Sequence, residues 1–262
     1  MREMSKVICS TNAKGGIANT TTSVNMAFWL SQNLGPTLLA DFDRQGDDAK
    51  MLGAQGGPHS ARFLARMLKL DEALVQTGFE NLFLMPGNGR IAGMETNIAQ
   101  LIAQEETPED KNDVRQSYAR MLIEAAEDFS AMVIDPPKFG EIQTISVMAC
   151  DALVVPTRLD PLSRMNALGM IKVAHSMMPD HATIHVLPVA LDARQKRANQ
   201  AIVDWMREEV SAVGRVVKVY EGIPSSVDVP HSMEAGLPVL KYSPRSGVSK
   251  AYEKFFLEML GA

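Results

Sequence analysis

The chain has 262 residues, 46% of them hydrophobic and 22% charged, and this composition excludes an intrinsically disordered protein. Its length suits a single α/β domain over residues 1–262 better than two small domains. The net charge of −5 argues against a surface that is basic throughout, and no apolar stretch reaches the roughly 20 residues that cross a bilayer, so we expect a cytoplasmic protein without membrane contact.

Short apolar runs alternate with amphipathic stretches along the whole chain. The first run, residues 7–10, is followed by a glycine-containing loop and by a helical pattern over residues 20–32. Further strands are predicted, in chain order, at residues 37–40, 82–85, 131–134, 153–155 and 184–187. Continuous apolar runs that are bounded by turns and separated by helices predict a mostly parallel, twisted sheet with helices on both faces.

Three other features of the sequence give simple structural predictions. The most polar stretch, residues 104–113, is predicted to be a solvated loop between helices. Residues 251–260 are amphipathic but not basic, so we expect them to pack on the domain rather than bind a membrane. Cys9 and Cys150 lie in apolar runs, which is typical of buried, reduced thiols.

Polar residues follow several of the predicted strands at the point where each strand ends. The glycine-containing loop follows the first strand, Asp41 and Asp43 follow the second, and Asp135 follows the strand at 131–134. Because ligands bind at the carboxyl ends of parallel strands, these residues predict one site at that edge of the sheet. For Asp41 and Asp43, solvation of a strand end is the alternative interpretation.

The loop after the first strand reads AKGGIANTTT from Ala13 to Thr22. A P-loop binds phosphates because its backbone N–H groups point inward at a helix N-terminus, while a lysine reaches the terminal phosphates and a Ser or Thr hydroxyl holds Mg²⁺. This loop departs from the pattern G-x-x-x-x-G-K-[ST] at Ala13, Ala18 and Asn19. By the general pattern alone, this loop would therefore not be identified as a P-loop.

The same loop resembles the deviant Walker A motif of the ParA/MinD family of P-loop ATPases, K-G-G-x-G-K-T-[ST]. Lys14-Gly15-Gly16 and Thr20-Thr21 match that motif, whose first lysine precedes the glycine pair. Four later segments fall in the family's order: 39–46, which is similar to D-x-D-P-Q-G, 131–137, which is similar to the Walker B strand and switch II, 152–157 and 236–240. The resemblance covers nearly the whole chain and implies the P-loop NTPase fold of the ParA/Soj-like partition proteins.

The resemblance also implies roles for individual residues, with ATP and Mg²⁺ as cofactors and a homodimer as the active form. Lys14 is expected to reach the partner's phosphates across the dimer interface, and Asp43 to position the attacking water, which makes these two the candidate catalytic residues. Thr20, Asp41 and Asp135 are expected to hold Mg²⁺. The expected nucleotide-binding residues are Lys14, Gly15, Gly16, Ile17, Ala18, Asn19, Thr20 and Thr21.

Asn19 is the main departure from the family motif, because it replaces the P-loop lysine and leaves the loop degenerate. Losing a charge-assisted contact to a desolvated phosphate costs roughly 2–5 kcal/mol. Ala18 adds a methyl group where the motif has glycine, which is expected to reshape the loop. Three outcomes stay open: an active ATPase, a weak nucleotide binder with little turnover, and a protein without useful nucleotide binding.

Non-specific DNA is a candidate partner of such a dimer. Arg194 aligns with a family arginine that is linked to DNA binding, and Lys196 and Arg197 are adjacent to it. Ser225 and Asp228 stand where a second family segment has arginines, which weakens this expectation, and a solvated helix face is the alternative for residues 194–197.

Together these features predict a ParA-like, nucleotide-dependent dimerising switch. Its expected role is plasmid or chromosome partition, or the positioning of a related cargo such as a conjugation complex, with a partner protein that stimulates or reads the dimer. Hydrolysis is expected to be weak because of Asn19. The alternative is a non-enzymatic binding or regulatory protein that keeps the fold and the dimer surface.

Overall fold

The computed structural model describes residues 6–214 and 216–261, and eight strands lie within them. In chain order the strands are β1 Lys6–Ser10, β2 Thr37–Asp41, β3 Val75–Gln76, β4 Leu82–Met85, β5 Ala131–Asp135, β6 Ala152–Thr157, β7 Thr183–Pro188 and β8 Val217–Val219. All eight form one sheet in the order β3-β4-β2-β5-β1-β6-β7-β8. Only the pairing of β3 with β4 is antiparallel.

Twelve α-helices lie in the same part of the chain, nine of them before β8 and three after it. They are α1 Asn19–Asn33, α2 Asp47–Met51, α3 His59–Leu64, α4 Leu70–Ala73, α5 Ile91–Gln104, α6 Pro108–Ala126, α7 Glu141–Ala149, α8 Pro161–His175, α9 Lys196–Ser211, α10 Asp228–Glu234, α11 Val239–Tyr242 and α12 Gly247–Leu260. Among the described helices, none is both long enough and apolar enough to cross a bilayer.

The core consists of two hydrophobic layers, one on each face of the sheet. Along β1, Val7 and Cys9 belong to one layer, with α5 to α9, while Ile8 belongs to the other, with α1 and α12. Side chains alternate between the faces of a strand, so a strand that is covered on both sides must be apolar at every position. The predicted doubly covered, mostly parallel sheet is therefore confirmed.

The six strands predicted from the sequence are all present, with bounds that differ by at most two residues at either end. The prediction missed the two edge strands, β3 and β8. These have two and three residues and are only partly buried, so they lack the continuous apolar run of the central strands.

The predicted loop at residues 104–113 is wrong for most of its length. Helix α5 includes Gln104, and α6 begins at Pro108, so only residues 105–107 connect the two helices. The side chain of Thr107 accepts a hydrogen bond from the Asp110 N–H at 3.1 Å, and Pro108 occupies the first helical position. The polar stretch is thus a capped helix N-terminus, where Thr, Pro and acidic residues are favoured.

The two remaining structural predictions hold. In α12, Tyr252, Phe255 and Phe256 are buried, and Phe256 packs against Trp29 of α1, so this helix is part of the core. Cys9 and Cys150 are both buried and free. Burial raises the pKa of the Cys9 thiol well above its ordinary value, which keeps this thiol protonated and unreactive.

Candidate functional site

The carboxyl ends of the central strands meet around a cavity of about 210 Å³. Strand β5 lies between β1 and β2, and Asp41 at the end of β2 is in register with Asp135 at the end of β5. The cavity is lined by Gly16, Ile17, Ala18, Asn19, Thr20, Thr21, Asp43, Gln45, Asp47, Asp135, Pro136 and Lys138. The structure therefore brings the loop after β1 together with the acidic residues after β2 and β5.

The loop between β1 and α1 has a backbone suited to an anion. Gly16 (φ 70°) and Ala18 (φ 63°) are both in the left-handed region, and Ala18 is the N-cap of the 15-residue helix α1. No side chain among the described residues caps this helix, and its first turn contains no acidic residue. The free N–H groups and the helix dipole therefore favour a negative group at this end of the cavity.

Asn19 is the first residue of α1 and lines the cavity. Its side-chain Oδ1 is buried and accepts no hydrogen bond from any described part of the protein. The residue thus stands in the wall of the cavity, as the sequence predicts, but it presents an uncharged amide there.

Asp135 joins the end of β5 to the first turns of α1. Its carboxylate accepts hydrogen bonds from the Thr20 hydroxyl at 2.8 Å and from the Ser23 hydroxyl at 3.0 Å. Burial raises the pKa of Asp135 to about 7, although the two hydrogen bonds act in the opposite direction. A hydroxyl and a carboxylate in contact form half of an oxygen-rich site for a hard divalent cation.

Three buried carboxylates converge beneath the cavity. One oxygen from each of Asp41, Asp48 and Asp135 lies within 4.8 Å of the others. Asp41 Oδ1 accepts the Asp43 N–H at 2.9 Å, whereas Asp41 Oδ2 and both Asp48 oxygens have no hydrogen-bond partner among the described residues. Burial and mutual repulsion raise the pKa of Asp41 and of Asp48 well above the ordinary value.

Asp43 is partly buried and faces the cavity beside Gln45 and Asp47. Its Oδ1 accepts the Gln45 N–H at 2.9 Å, which holds the turn that follows β2. The carboxylate of Asp43 is thus held in the turn after β2, in the same cavity as the loop of residues 16–21. This placement agrees with a role in positioning water, which stays a prediction.

Lys14 does not enter the cavity of its own subunit. Its Nζ donates a hydrogen bond to Ser163 Oγ at 2.9 Å and lies 3.4 Å from Asp160 Oδ1, both at the start of α8. Hydrogen bonds from Ser163, together with Lys14, lower the pKa of Asp160 to about 2. The structure thus separates Lys14 from the rest of the predicted site, and its action across a dimer interface stays a prediction.

Comparison with known proteins gives the family. A family model described as an AAA domain matches residues 5–202. The sporulation initiation inhibitor protein Soj of Bacillus subtilis is 30% identical over 262 residues, which cover 95% of this chain and 96% of Soj. The chain belongs to the ParA/MinD family of P-loop ATPases. The chromosome-partitioning ATPase Soj of Treponema pallidum is 24% identical, with 98% of each chain covered.

Solved structures of low sequence identity share the fold. An ATP complex of Cyanothece McdA superimposes with a TM-score of 0.79 at 19% identity, over 99% of this chain and 97% of McdA. The septum site-determining protein MinD of Pyrococcus horikoshii, complexed with Mg-ADP, gives a TM-score of 0.73 at 19% identity over 98% and 96%. The ParA/MinD fold is thus preserved across the whole described chain.

The residues of this ParA/MinD cavity fit a magnesium-bound phosphate group in two respects. The unpartnered oxygens of Asp41 and Asp48 are of the type that Mg²⁺ prefers, and Thr20 adds a hydroxyl. The uncapped N-terminus of α1 suits phosphate oxygens. In one respect the cavity residues do not fit such a group, because Asn19 supplies no positive charge.

Sequence reasoning missed Asp48 and Lys138 as members of the site. Asp48 is the second residue of α2, and only its complete burial distinguishes it from the partly exposed Asp47. Lys138 follows the strand-end sequence Asp135-Pro136-Pro137, and this position was the signal that it faces the same edge.

The basic residues considered for DNA binding lie outside the cavity. Arg194, Lys196 and Arg197 are exposed, in and after a 3₁₀ turn that follows β7. The guanidinium of Arg194 donates two hydrogen bonds to Asp192, at 3.0 and 2.9 Å. The Ser225 N–H donates to the Leu191 carbonyl at 2.9 Å, so the two segments compared with family DNA-binding segments are neighbours.

Proposed function

We propose that the chain is a ParA-like, nucleotide-dependent dimerising switch with weak ATP hydrolysis. The observation that carries this proposal is the contact of Thr20 with Asp135 beneath the uncapped N-terminus of α1. Relatives of similar sequence include chromosome partitioning protein ParA of Caulobacter vibrioides and cell division protein PomZ of Myxococcus xanthus, each 26% identical to this chain over the matched residues. Partition of a plasmid or chromosome, or positioning of a cargo such as a conjugation complex, is the corresponding role.

Different residues of the site bind the phosphate groups, the Mg²⁺ ion and the water molecule. Backbone N–H groups between Gly16 and Thr21 bind phosphate oxygens at the end of α1. Thr20, Asp41 and Asp135 hold Mg²⁺, and Asp43 orients a water molecule. Bound ATP with Mg²⁺ supplies a phosphoryl group whose removal resets the switch.

Dimerisation is proposed to involve Lys14. Its ammonium group is partly exposed, and its ion pair with Asp160 is of the surface type, which contributes only about 0–1 kcal/mol. Lys14 can therefore leave Asp160 and bind a phosphate group held by a second subunit at little cost in free energy. The homodimer so formed binds its partner protein and, through Arg194, Lys196 and Arg197, non-specific DNA. We also propose that residues 1–262 act as one domain, which is supported by the single sheet.

The alternative function is a non-enzymatic, ParA-like binding or regulatory protein. It is favoured by Asn19, whose uncharged amide lines a cavity that also contains Asp43, Asp47 and Asp135. An acidic cavity without the P-loop lysine binds a polyphosphate weakly unless another cation compensates.

Calorimetric titration with ATP and Mg²⁺, together with phosphate release in the presence of DNA, distinguishes the two functions. The variants are the unaltered protein, Asn19→Lys, and Asn33→Lys as a control that adds the same charge to the exposed far end of α1. For the proposed switch we expect micromolar binding and slow turnover by the unaltered protein, and tighter binding by Asn19→Lys only.

The opposite result supports the alternative function. An unaltered protein that neither binds nor hydrolyses ATP, while Asn19→Lys gains binding, has an intact but disabled cavity. In that case the non-enzymatic function replaces the ATPase.

A further inference from the structure

Among the described residues that line the cavity, the charged side chains are three aspartates and one lysine. Three carboxylates line the cavity, those of Asp43, Asp47 and Asp135, and Asp41 and Asp48 lie close beneath it. Within the described chain, Lys138 is the one cationic side chain among the lining residues. A polyphosphate that enters this cavity therefore has a single nearby ammonium group in the same subunit.

Lys138 lies directly against the phosphate-binding loop. A Cβ atom built at Gly15 would be 2.8 Å from Lys138 Nζ and 3.3 Å from its Cε. The absence of a side chain at Gly15 is what lets the ammonium group approach the loop backbone this closely. Neither a hydrogen bond nor an ion pair engages Lys138 Nζ within residues 6–214 and 216–261, so its charge is free to bind an anion.

The segment that carries Lys138 is held at both ends. Upstream, Asp135 and Pro136 are buried at the end of β5. Downstream, the carboxylate of Glu95 accepts the N–H groups of Glu141 and Ile142 at the start of α7. Only residues 137–140 lie between these anchors, and Pro137 limits their freedom, so the backbone of Lys138 has a restricted position beside the loop, while its side chain is exposed.

A bidentate ion pair further holds the downstream end of this segment, at Glu141. The guanidinium of Arg115 donates to both oxygens of the Glu141 carboxylate, at 2.7 and 2.9 Å. Paired donors of this kind give geometric definition as well as binding energy. Contacts from α5 and α6 thus hold the start of α7, and with it the backbone of the loop that carries Lys138 beside Gly15.

We propose that Lys138 is the phosphate-binding cation that replaces the missing P-loop lysine at Asn19. The proposal rests on the nucleotide-dependent function above and names the residue that makes ATP binding achievable without a lysine at position 19. Its ammonium group donates to a phosphate oxygen from the loop after β5, whereas the P-loop lysine would do so from α1.

The test is the affinity for ATP with Mg²⁺, measured by calorimetry on purified full-length protein. The variants are Lys138→Gln, Asn19→Lys and the double variant, with Lys172→Gln as a control that removes one exposed lysine outside the cavity. We expect Lys138→Gln to weaken ATP binding about 10-fold or more, as for loss of a hydrogen bond to a charged group, and Lys172→Gln to leave it unchanged.

The double variant tests whether Lys138 and a lysine at position 19 make equivalent contributions to ATP binding. If a lysine at position 19 takes over the role of Lys138, the loss caused by Lys138→Gln becomes much smaller in the Asn19→Lys background. Equal losses in both backgrounds would contradict replacement of one cation by the other.

Failure of this inference can be told apart from failure of the proposed function. ATP binding by the unaltered protein that Lys138→Gln does not weaken would overturn the role of Lys138 alone. No binding by the unaltered protein, with binding restored by Asn19→Lys, would overturn both the compensation and the nucleotide-dependent switch. Circular dichroism of each variant checks that the fold is retained.

Discussion

At the scale of single residues, Asp48 has the least favourable surroundings in the site. It is fully buried beside Asp41 and Asp135, and neither of its oxygens has a hydrogen-bond partner among the described residues. We expect Asp48→Asn to raise the free energy of unfolding by about 1–3 kcal/mol at neutral pH in EDTA, because it keeps the volume, removes a carboxyl whose ionisation is opposed by burial and by the neighbouring carboxylates, and adds N–H donors near Asp41.

The pH dependence of this effect has a definite sign. Burial raises the folded-state pKa of Asp48 above its ordinary 3.8, so the carboxyl favours folding at low pH and this contribution is lost as pH rises through the folded pKa. The gain from Asp48→Asn in urea unfolding should therefore grow as pH is raised. Asp47→Asn, at the partly exposed neighbouring position, is the control, and equal effects of the two changes would refute the explanation.

At the scale of secondary-structure elements, the start of α1 combines a binding feature with backbone strain. Ala18 has φ 63° and ψ 28°, a conformation that favours glycine. We expect Ala18→Gly to stabilise the protein by about 1 kcal/mol, because removal of the Cβ relieves the left-handed strain. Thermal and urea unfolding measure the change.

A glycine placed on a regular helix should have the opposite effect. Ala99 is exposed in the interior of α5, and Ala99→Gly is expected to destabilise by about 1 kcal/mol, the ordinary cost of glycine in a helix interior. If Ala18→Gly is also destabilising, the strain at Ala18 is offset by contacts of its methyl group, and the loop is built around alanine.

Elements were predictable where local sequence determines them. The central strands are apolar at every position because both faces are covered, and their ends carry Asp41 and Asp135, so the strands and the site edge follow from the sequence. The start of α6 was missed although Thr107-Pro108 is a capping signal, since the polarity of the stretch was given more weight than its order.

The parts of the site that were not predictable depend on contacts between distant segments. Lys14 is held by Asp160, which lies 146 positions away, and Lys138 approaches Gly15 from the loop after β5. Motif spacing gives the residues that follow each strand, but the close approach of two loops depends on how helices such as α5 and α7 fix them.

At the scale of the whole molecule, the net charge of −5 limits any DNA binding to a local surface. Lys196 and Arg197 are exposed and have no ion pair within the described residues, whereas Arg194 is already neutralised by Asp192. The first two are therefore the better phosphate contacts, although Arg194 is the residue that aligns with the family motif.

The proposed DNA binding is tested by its salt dependence. The logarithm of a DNA association constant falls with the logarithm of salt concentration by about 0.9 for each phosphate contact in a duplex. We expect the combined change Lys196→Ala and Arg197→Ala to weaken ATP-dependent binding to non-specific duplex DNA and to reduce the magnitude of this slope by about 2, measured by fluorescence anisotropy between low and moderate salt.

The control is a second double variant, Lys69→Ala with Lys172→Ala, which removes two exposed lysines and changes the net charge equally. A slope that falls equally in both double variants would assign the effect to net charge, and an unchanged slope in the first would remove residues 196–197 from the DNA surface.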